Sequence, residues 1–115
     1  MKLIKTNTII EKKSKFISYY YQIDNIDEID KIINDIKKDN KKARHVVYAY
    51  KINNIIKKNN DGEPNGTAGD PILTVIDKNN LDNVLIVVVR YFGGIKLGRG
   101  LLTRTYLHSA SSLLK

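Results

Sequence analysis

The sequence predicts an α+β fold in which helices pack on one face of a largely antiparallel sheet. Three observations predict it. Two segments rich in β-branched and aromatic residues are each interrupted by a polar turn. Isoleucines recur at three- and four-residue spacing from Ile26 to Ile36, and an apolar run, VLIVVV, spans Val84 to Val89 without alternation.

Taken in order, TIIEKKSKFISYYYQI reads as a strand pair or one long bent strand, interrupted at the charged EKKSK. Asn25 and Glu28 have the spacing of a capping box, in which a side-chain acceptor satisfies free helix N–H groups and a carboxylate reaches back. Ile26, Ile29, Ile32, Ile33 and Ile36 then form one apolar face, and the helix is expected to end near Asn40. HVVYAYKI and IIKKNND flank Asn53-Asn54, and asparagine tolerates the positive φ of a two-residue hairpin turn. Asp70-Pro71 supplies an N-cap and a first helical residue, which tips the ambiguous ILTVI toward a short helix. VLIVVV suits a strand covered on both faces or deep in the sheet. From about Gly98 a last helix follows, with Leu102, Tyr106, Ala110 and Leu113 on one face and Arg104, His108, Ser111 and Lys115 on the other.

Composition narrows the function classes. At 115 residues the chain reads as one domain, 1–115, with no internal repeat and no additional domain expected. It has no cysteine, which removes disulfides and thiolate metal sites, and its two histidines, His45 and His108, cannot make a three-histidine centre. No run approaches the roughly 18 apolar residues of a membrane span, and MKLIKTNTIIEKK lacks the apolar core of a signal peptide, so a cytoplasmic location is expected. Twenty basic residues against 12 acidic ones give a net charge of +8, which favours polyanionic partners or acidic protein surfaces. The distribution says more than the total. After Asp82 there is no carboxylate side chain, while Arg90, Lys96, Arg99, Arg104 and Lys115 remain; scattered lysines such as Lys12, Lys13, Lys37, Lys38, Lys57 and Lys58 read as solvated surface.

All seven glycines, Gly62, Gly66, Gly69, Gly93, Gly94, Gly98 and Gly100, fall in two clusters that flank the apolar strand. Such clustering marks two shaped loops rather than a linker. Gly93 to Gly98 has the spacing of a P-loop, but Arg99 stands where lysine is needed and Gly100 where a hydroxyl holds magnesium. A dinucleotide fingerprint starting at Gly98 fails at Thr103. No cofactor or resident metal is therefore expected. An anion-binding turn survives both failures, because helix N-termini offer free N–H groups beside Lys96 and Arg99; a turn shaped only for tight packing is compatible with it. In DGEPNGTAGD the carboxylates of Asp61, Glu63 and Asp70 lack Ca²⁺-loop spacing, and the loop is expected to fold against the basic turn, its acids meeting Arg90 or Lys96. Tyr19, Tyr20, Tyr21, Tyr48 and Tyr50 offer rings of the kind single-stranded RNA stacks on, although strand tyrosines more often serve packing.

Ser14-Lys15-Phe16, HVVYAY from His45, DGEPNGTAG from Asp61, PIL from Pro71 and above all RYFGGIKLG from Arg90 occur in an order and spacing that resembles the conserved domain of the IMPACT/YigZ family. The resemblance runs from about Ser14 to Leu114. It implies a fold similar to the second domain of ribosomal protein S5, a four-stranded sheet with helices on one side. It also implies translation-linked regulation: eukaryotic members bind a ribosome-associated activator of a starvation-sensing kinase, and bacterial members are linked to nucleic-acid binding. It carries over no catalytic residue. Two departures stand out: Asn65 where the family usually has serine, and Arg99-Gly100-Leu101 where it has a smaller, glycine-richer run. The C-terminal ferredoxin-like domain of bacterial members and the N-terminal recognition domain of eukaryotic ones have no counterpart in these residues.

The expected function is a non-enzymatic regulator that contacts RNA, the ribosome or a ribosome-associated protein through Arg90, Tyr91, Lys96, Arg99 and Arg104, with Asp61 and Glu63 in the adjoining loop. The alternative is an enzyme on a phosphorylated or peptide substrate, using Asp61 and Glu63 in a cleft beside Arg90.

Overall fold

The computed structural model describes residues Met1–Lys115. The N-terminal strands form a hairpin, β1 (Lys2–Glu11) and β2 (Ser14–Gln22). Its turn residues, Lys12 and Lys13, have φ of 45° and 67°, a region in which a Cβ crowds the backbone. Helix α1 (Glu28–Asp39) starts later than a capping box at Asn25 and Glu28 implies: Asp27 is the N-cap, and no side chain caps the helix. Glu28 Oε1 accepts the N–H of Asn25 at 2.9 Å and of Asp24 at 2.7 Å, and Asn25 Oδ1 accepts the N–H of Asp27 at 2.9 Å. Ile29, Ile32, Ile33 and Ile36 are buried, whereas Ile26 precedes the helix proper and stays 40% exposed.

Strands β3 (His45–Ile52) and β4 (Ile55–Asn59) meet at Asn53-Asn54, with φ of 50° and 65°. Helix α2 (Gly69–Lys78) starts earlier than Asp70-Pro71 implied. Ala68 is the N-cap and Asp70 lies inside the first turn, where its carboxylate pairs with Lys58. Pro71 costs the helix nothing there, since the first four N–H groups have no helical acceptor. Strand β5 (Val84–Tyr91) leads through the second glycine cluster to α3 (Arg99–Ser111) and a 3₁₀ turn at Ser112–Leu114.

The class is α+β, with strand order β1-β2-β5-β3-β4 and every neighbouring pair antiparallel. Two details differ from expectation: the four strands that the family resemblance implied, and the helices on one face that both the residue pattern and the resemblance predicted. The sheet has five strands, the number the residue pattern itself contains, and helices cover both faces. Val84, Ile86 and Val88 pack with α2 and α3, while Leu85, Val87 and Val89 pack with α1. The physical reason lies in β5. Strands β2 and β3 run parallel with β5 between them, so the α1 connection must cross one face of the sheet. An unalternating apolar strand needs both faces covered, and each valine it buries stabilises the fold by about 1.5–3 kcal/mol. No helix is long and apolar enough to cross a membrane.

Gly93 joins β5 to the hairpin. Its N–H donates to Ser14 Oγ at 3.2 Å, and a Cβ at this position would sit 2.1 Å from the carbonyl of Lys13 and 2.6 Å from the Ser14 nitrogen. Because those neighbours are backbone atoms, Gly93→Ala is expected to lose about 3 kcal/mol of stability. Gly94→Ala, with nothing within 4 Å but φ of 94°, should lose less, about 1 kcal/mol. Urea unfolding of the two variants checks the order; equal losses would refute it.

Candidate functional site

The sheet register places the site. Phe16, Arg90 and His45 lie side by side on β2, β5 and β3. Arg90 follows Val88 on the face covered by α2 and α3, two residues on, so a charged side chain ends an otherwise apolar row. It is only 8% exposed. Its Nη1 donates to both carboxylate oxygens of Glu63 at 2.9 Å, and Glu63 is itself buried. The Tyr106 hydroxyl, fully buried on α3, donates to Glu63 Oε2, and its ring meets Phe16 edge-on at 5.3 Å. Burial first, and then the Glu63 charge, hold the Tyr106 phenol far above the usual tyrosine range, so it remains an O–H donor.

His45 lies against the same carboxylate. Its Nδ1 lies 2.6 Å from the Asp61 carbonyl oxygen, which can only accept, so Nδ1 carries the proton. Nε2 then faces Glu63 Oε1 at 3.4 Å. Asp61 points elsewhere: its Oδ2 accepts the Val46 N–H at 2.7 Å, capping β3 beyond the end of β4. The rest of the 60–69 loop is held by Asn60, which donates to the Pro64 carbonyl at 3.1 Å and accepts the Gly69 N–H at 3.0 Å. The Arg99 Nη2 donates to the Asn65 carbonyl at 2.5 Å, tying this loop to the turn before α3.

Between the two glycine clusters lies a cavity of about 290 Å³. Leu97, Leu102 and Pro64 form its apolar wall, Arg90 and Glu63 lie deep in it, and exposed Lys96 and Arg99 stand at its rim beside Gly98. Gly98 is the N-cap of α3 with φ of 76°, a conformation that favours glycine. The first turn of α3 has no acidic residue and no side-chain cap, which leaves N–H groups there unpaired.

The structure thus brings Arg90, Glu63, Lys96 and Arg99 together and separates the others. Tyr91 lies on the opposite face, where its hydroxyl donates to Asn40 Oδ1 at 2.6 Å and Lys15 Nζ lies 4.5 Å from its ring centre. Arg104 is exposed one turn into α3, away from the cavity lining. Asp61 serves the β3 end. Of the expected acid–base contacts between loop and turn, Glu63 to Arg90 forms, and Lys96 has no carboxylate partner. Sequence reasoning assigned Tyr106 only to an apolar helix face. A tyrosine among Leu102 and Ala110 on a buried stripe was the available signal, since a buried phenol needs an acceptor.

With Arg90 on both oxygens and Tyr106 on one, the Glu63 carboxylate is engaged within the fold. It anchors the loop. The free donors of the site are cationic and face solvent.

The Impact N-terminal domain family model matches residues 12–114. The IMPACT family member YvyE of Bacillus subtilis (strain 168) is 45% identical over 106 residues, covering 90% of this chain and 49% of that protein. Among solved structures, the crystal structure of a hypothetical protein shares 30% identity and a TM-score of 0.89 across 95% of this chain and 55% of its own. The two-domain translational regulator Yih1, at 22% identity and a TM-score of 0.56 over 96% of this chain and 46% of its own, shares the fold. The chain therefore spans about half the length of these relatives.

Removing one member of the buried pair strands the other. Arg90→Met or Glu63→Leu alone should each cost about 3–5 kcal/mol, and the double variant far less than their sum; additive losses in a denaturant double-mutant cycle would contradict this. The folded state holds the Tyr106 proton more tightly than the unfolded chain does. Its contribution is complete below about pH 10 and declines as pH rises beyond that. Tyr106→Phe should therefore flatten the alkaline fall in stability by up to about 1.4 kcal/mol per pH unit, measured by unfolding from pH 8 to 11.

Proposed function

This chain belongs to the Impact N-terminal domain family, and from that premise we propose that it is a non-enzymatic, translation-linked binding module that contacts RNA through its basic glycine-rich turn. One observation carries the reading. Lys96, Arg99 and Arg104 are exposed on the turn and first part of α3, and no carboxylate side chain follows Asp82 to neutralise them. The one acid at the same place, Glu63, is buried against Arg90.

Membership of a family that includes IMPACT proteins, and a fold shared with a translational regulator, supports the translational setting. The cationic surface supports RNA as the contact. Phosphates release counterions when lysine and arginine neutralise them, so the affinity of such a surface falls steeply with salt. The acids of the enzymatic alternative are both engaged within the fold, Glu63 with Arg90 and Tyr106 and Asp61 with the Val46 N–H, which favours the binding reading.

Anisotropy titrations with single-stranded RNA across a salt series test the proposal. The slope of log affinity against log salt should shrink by about 0.7 for each phosphate contact removed in Lys96→Ala/Arg99→Ala. Absence of binding at low salt, or an unaltered slope in the variant, would overturn the RNA reading in favour of a protein partner.

A further inference from the structure

We propose that the cavity between the two glycine clusters is a receptor for a terminal phosphate monoester on a ribonucleotide chain, with Arg90 as its inner donor. This rests on the RNA reading above and goes past it, from a basic surface to a site that recognises an RNA end.

Arg90 is the first reason. It is more than nine-tenths buried, yet only Nη1 is used, on Glu63. Its Nε is sealed in without an acceptor, and Nη2 makes no bond to the protein but is not sealed off; Arg90 lines the cavity. A guanidinium carries five donors, and the two N–H groups of Nη2, without a protein acceptor and not sealed off, are the ones an oxyanion in the cavity can reach. A donation from Nη2 to a phosphate oxygen is charge-assisted and so stronger than a neutral hydrogen bond.

The rim supplies the rest. Lys96 has no carboxylate partner, and Arg99 has one nitrogen fixed on the Asn65 carbonyl, so its remaining donors are positioned without being consumed. The α3 N-terminus opens on the same cavity through Gly98 and Arg99, with no acid in its first turn. Aligned peptide dipoles there favour an anion.

Charge and shape select a chain end over a mid-chain phosphate. Three cations, Arg90, Lys96 and Arg99, line the cavity against one carboxylate, Glu63, whose side chain is 2% exposed and bonded to Arg90 and Tyr106. The resulting balance of two positive charges suits a monoester, which carries a charge of about −1.5 to −2 near neutral pH, better than a diester carrying one. A recess of about 290 Å³ with its arginine nine-tenths buried admits a group that projects inward. A phosphodiester would need the strand both to enter and to leave.

Phe92 points to a nucleotide as the bearer of that phosphate. Its exposed ring lies 5.9 Å from the Arg90 Cζ and 4.7 Å from the Arg44 Cζ. An aromatic face flanked by guanidinium groups beside a phosphate donor is a stacking platform for a base.

The test compares one short oligoribonucleotide bearing a 5′-monophosphate, a 3′-monophosphate or hydroxyls at both ends, by anisotropy with the full chain at fixed salt. One phosphorylated form should bind about tenfold tighter or more than the hydroxyl form. Lys96→Ala/Arg99→Ala should erase that preference, whereas Arg104→Ala, outside the cavity, should weaken all three oligonucleotides alike and keep it. Equal affinity for all three would overturn the end-phosphate site and leave the RNA reading standing; binding of none would overturn both. Competition by a phosphoserine peptide as effective as that of the phosphorylated RNA would overturn the assignment to a nucleotide.

Discussion

The buried pair of Arg90 and Glu63 is the constraint on which the arrangement of this domain depends. It joins three parts of the chain that sequence separates widely, β5 through Arg90, the 60–69 loop through Glu63 and α3 through Tyr106, and His45 of β3 holds the same loop through the Asp61 carbonyl. Taking two charges out of water costs several kcal/mol per ion, and their attraction in the interior repays that only when the geometry and the surrounding hydrogen bonds are good. The pair is therefore a poor source of net stability and a strong source of uniqueness. Only a loop that delivers Glu63 to this point satisfies Arg90, and the bonds of Asn60 within the loop and of Arg99 to Asn65 are consistent with that one placement.

The same pair explains how a segment containing three acids, two in the 60–69 loop and Asp70 at the start of α2, borders a basic surface. Asp61 is spent on the Val46 N–H, Asp70 on Lys58 and Glu63 on Arg90. Each acid is consumed locally, and the cations of the turn before α3 are left to solvent. Binding capacity here comes from which groups the fold leaves unpaired, more than from which residue types are present. Sequence composition counts carboxylates; the structure decides which of them still act at a distance.

Much of the fold was legible because it rests on local signals. The Asn53-Asn54 turn and the isoleucine spacing from Ile29 to Ile36 depend on residues within a few positions of one another and form as read, and Glu28 reaches back to the Asn25 N–H as a capping box would, although the helix itself starts later, after Asp27. The start of α2 was misplaced because Asp70 has a competing long-range partner, Lys58, which a cap argument does not see. The helices were expected on one face; VLIVVV was compatible with two covered faces as well as with a place deep in the sheet, and in the structure both hold. At the site, Glu63 meeting Arg90 was within reach, since an acidic loop and a basic turn flank one strand. Tyr106 and His45 were not, because their roles follow from strand register and helix packing that bring distant positions together. Tyr91, adjacent to Arg90 in sequence, lies across the sheet from it, as the alternation of a strand requires.

The central position of β5 also governs when the domain can exist during synthesis. β5 is the last strand of the sheet in chain order, yet it is the only element that pairs with both β2 and β3. Until residues 84–91 have left the ribosome the chain holds two separate hairpins, each with an unpaired inner edge, and neither helical layer has its full floor to pack on. Those edges pair only by closing long loops, which makes the topology slow to assemble compared with one built from neighbouring strands. A nascent chain halted just before Val84 presents two open strand edges at once, the condition in which intermolecular pairing competes with folding.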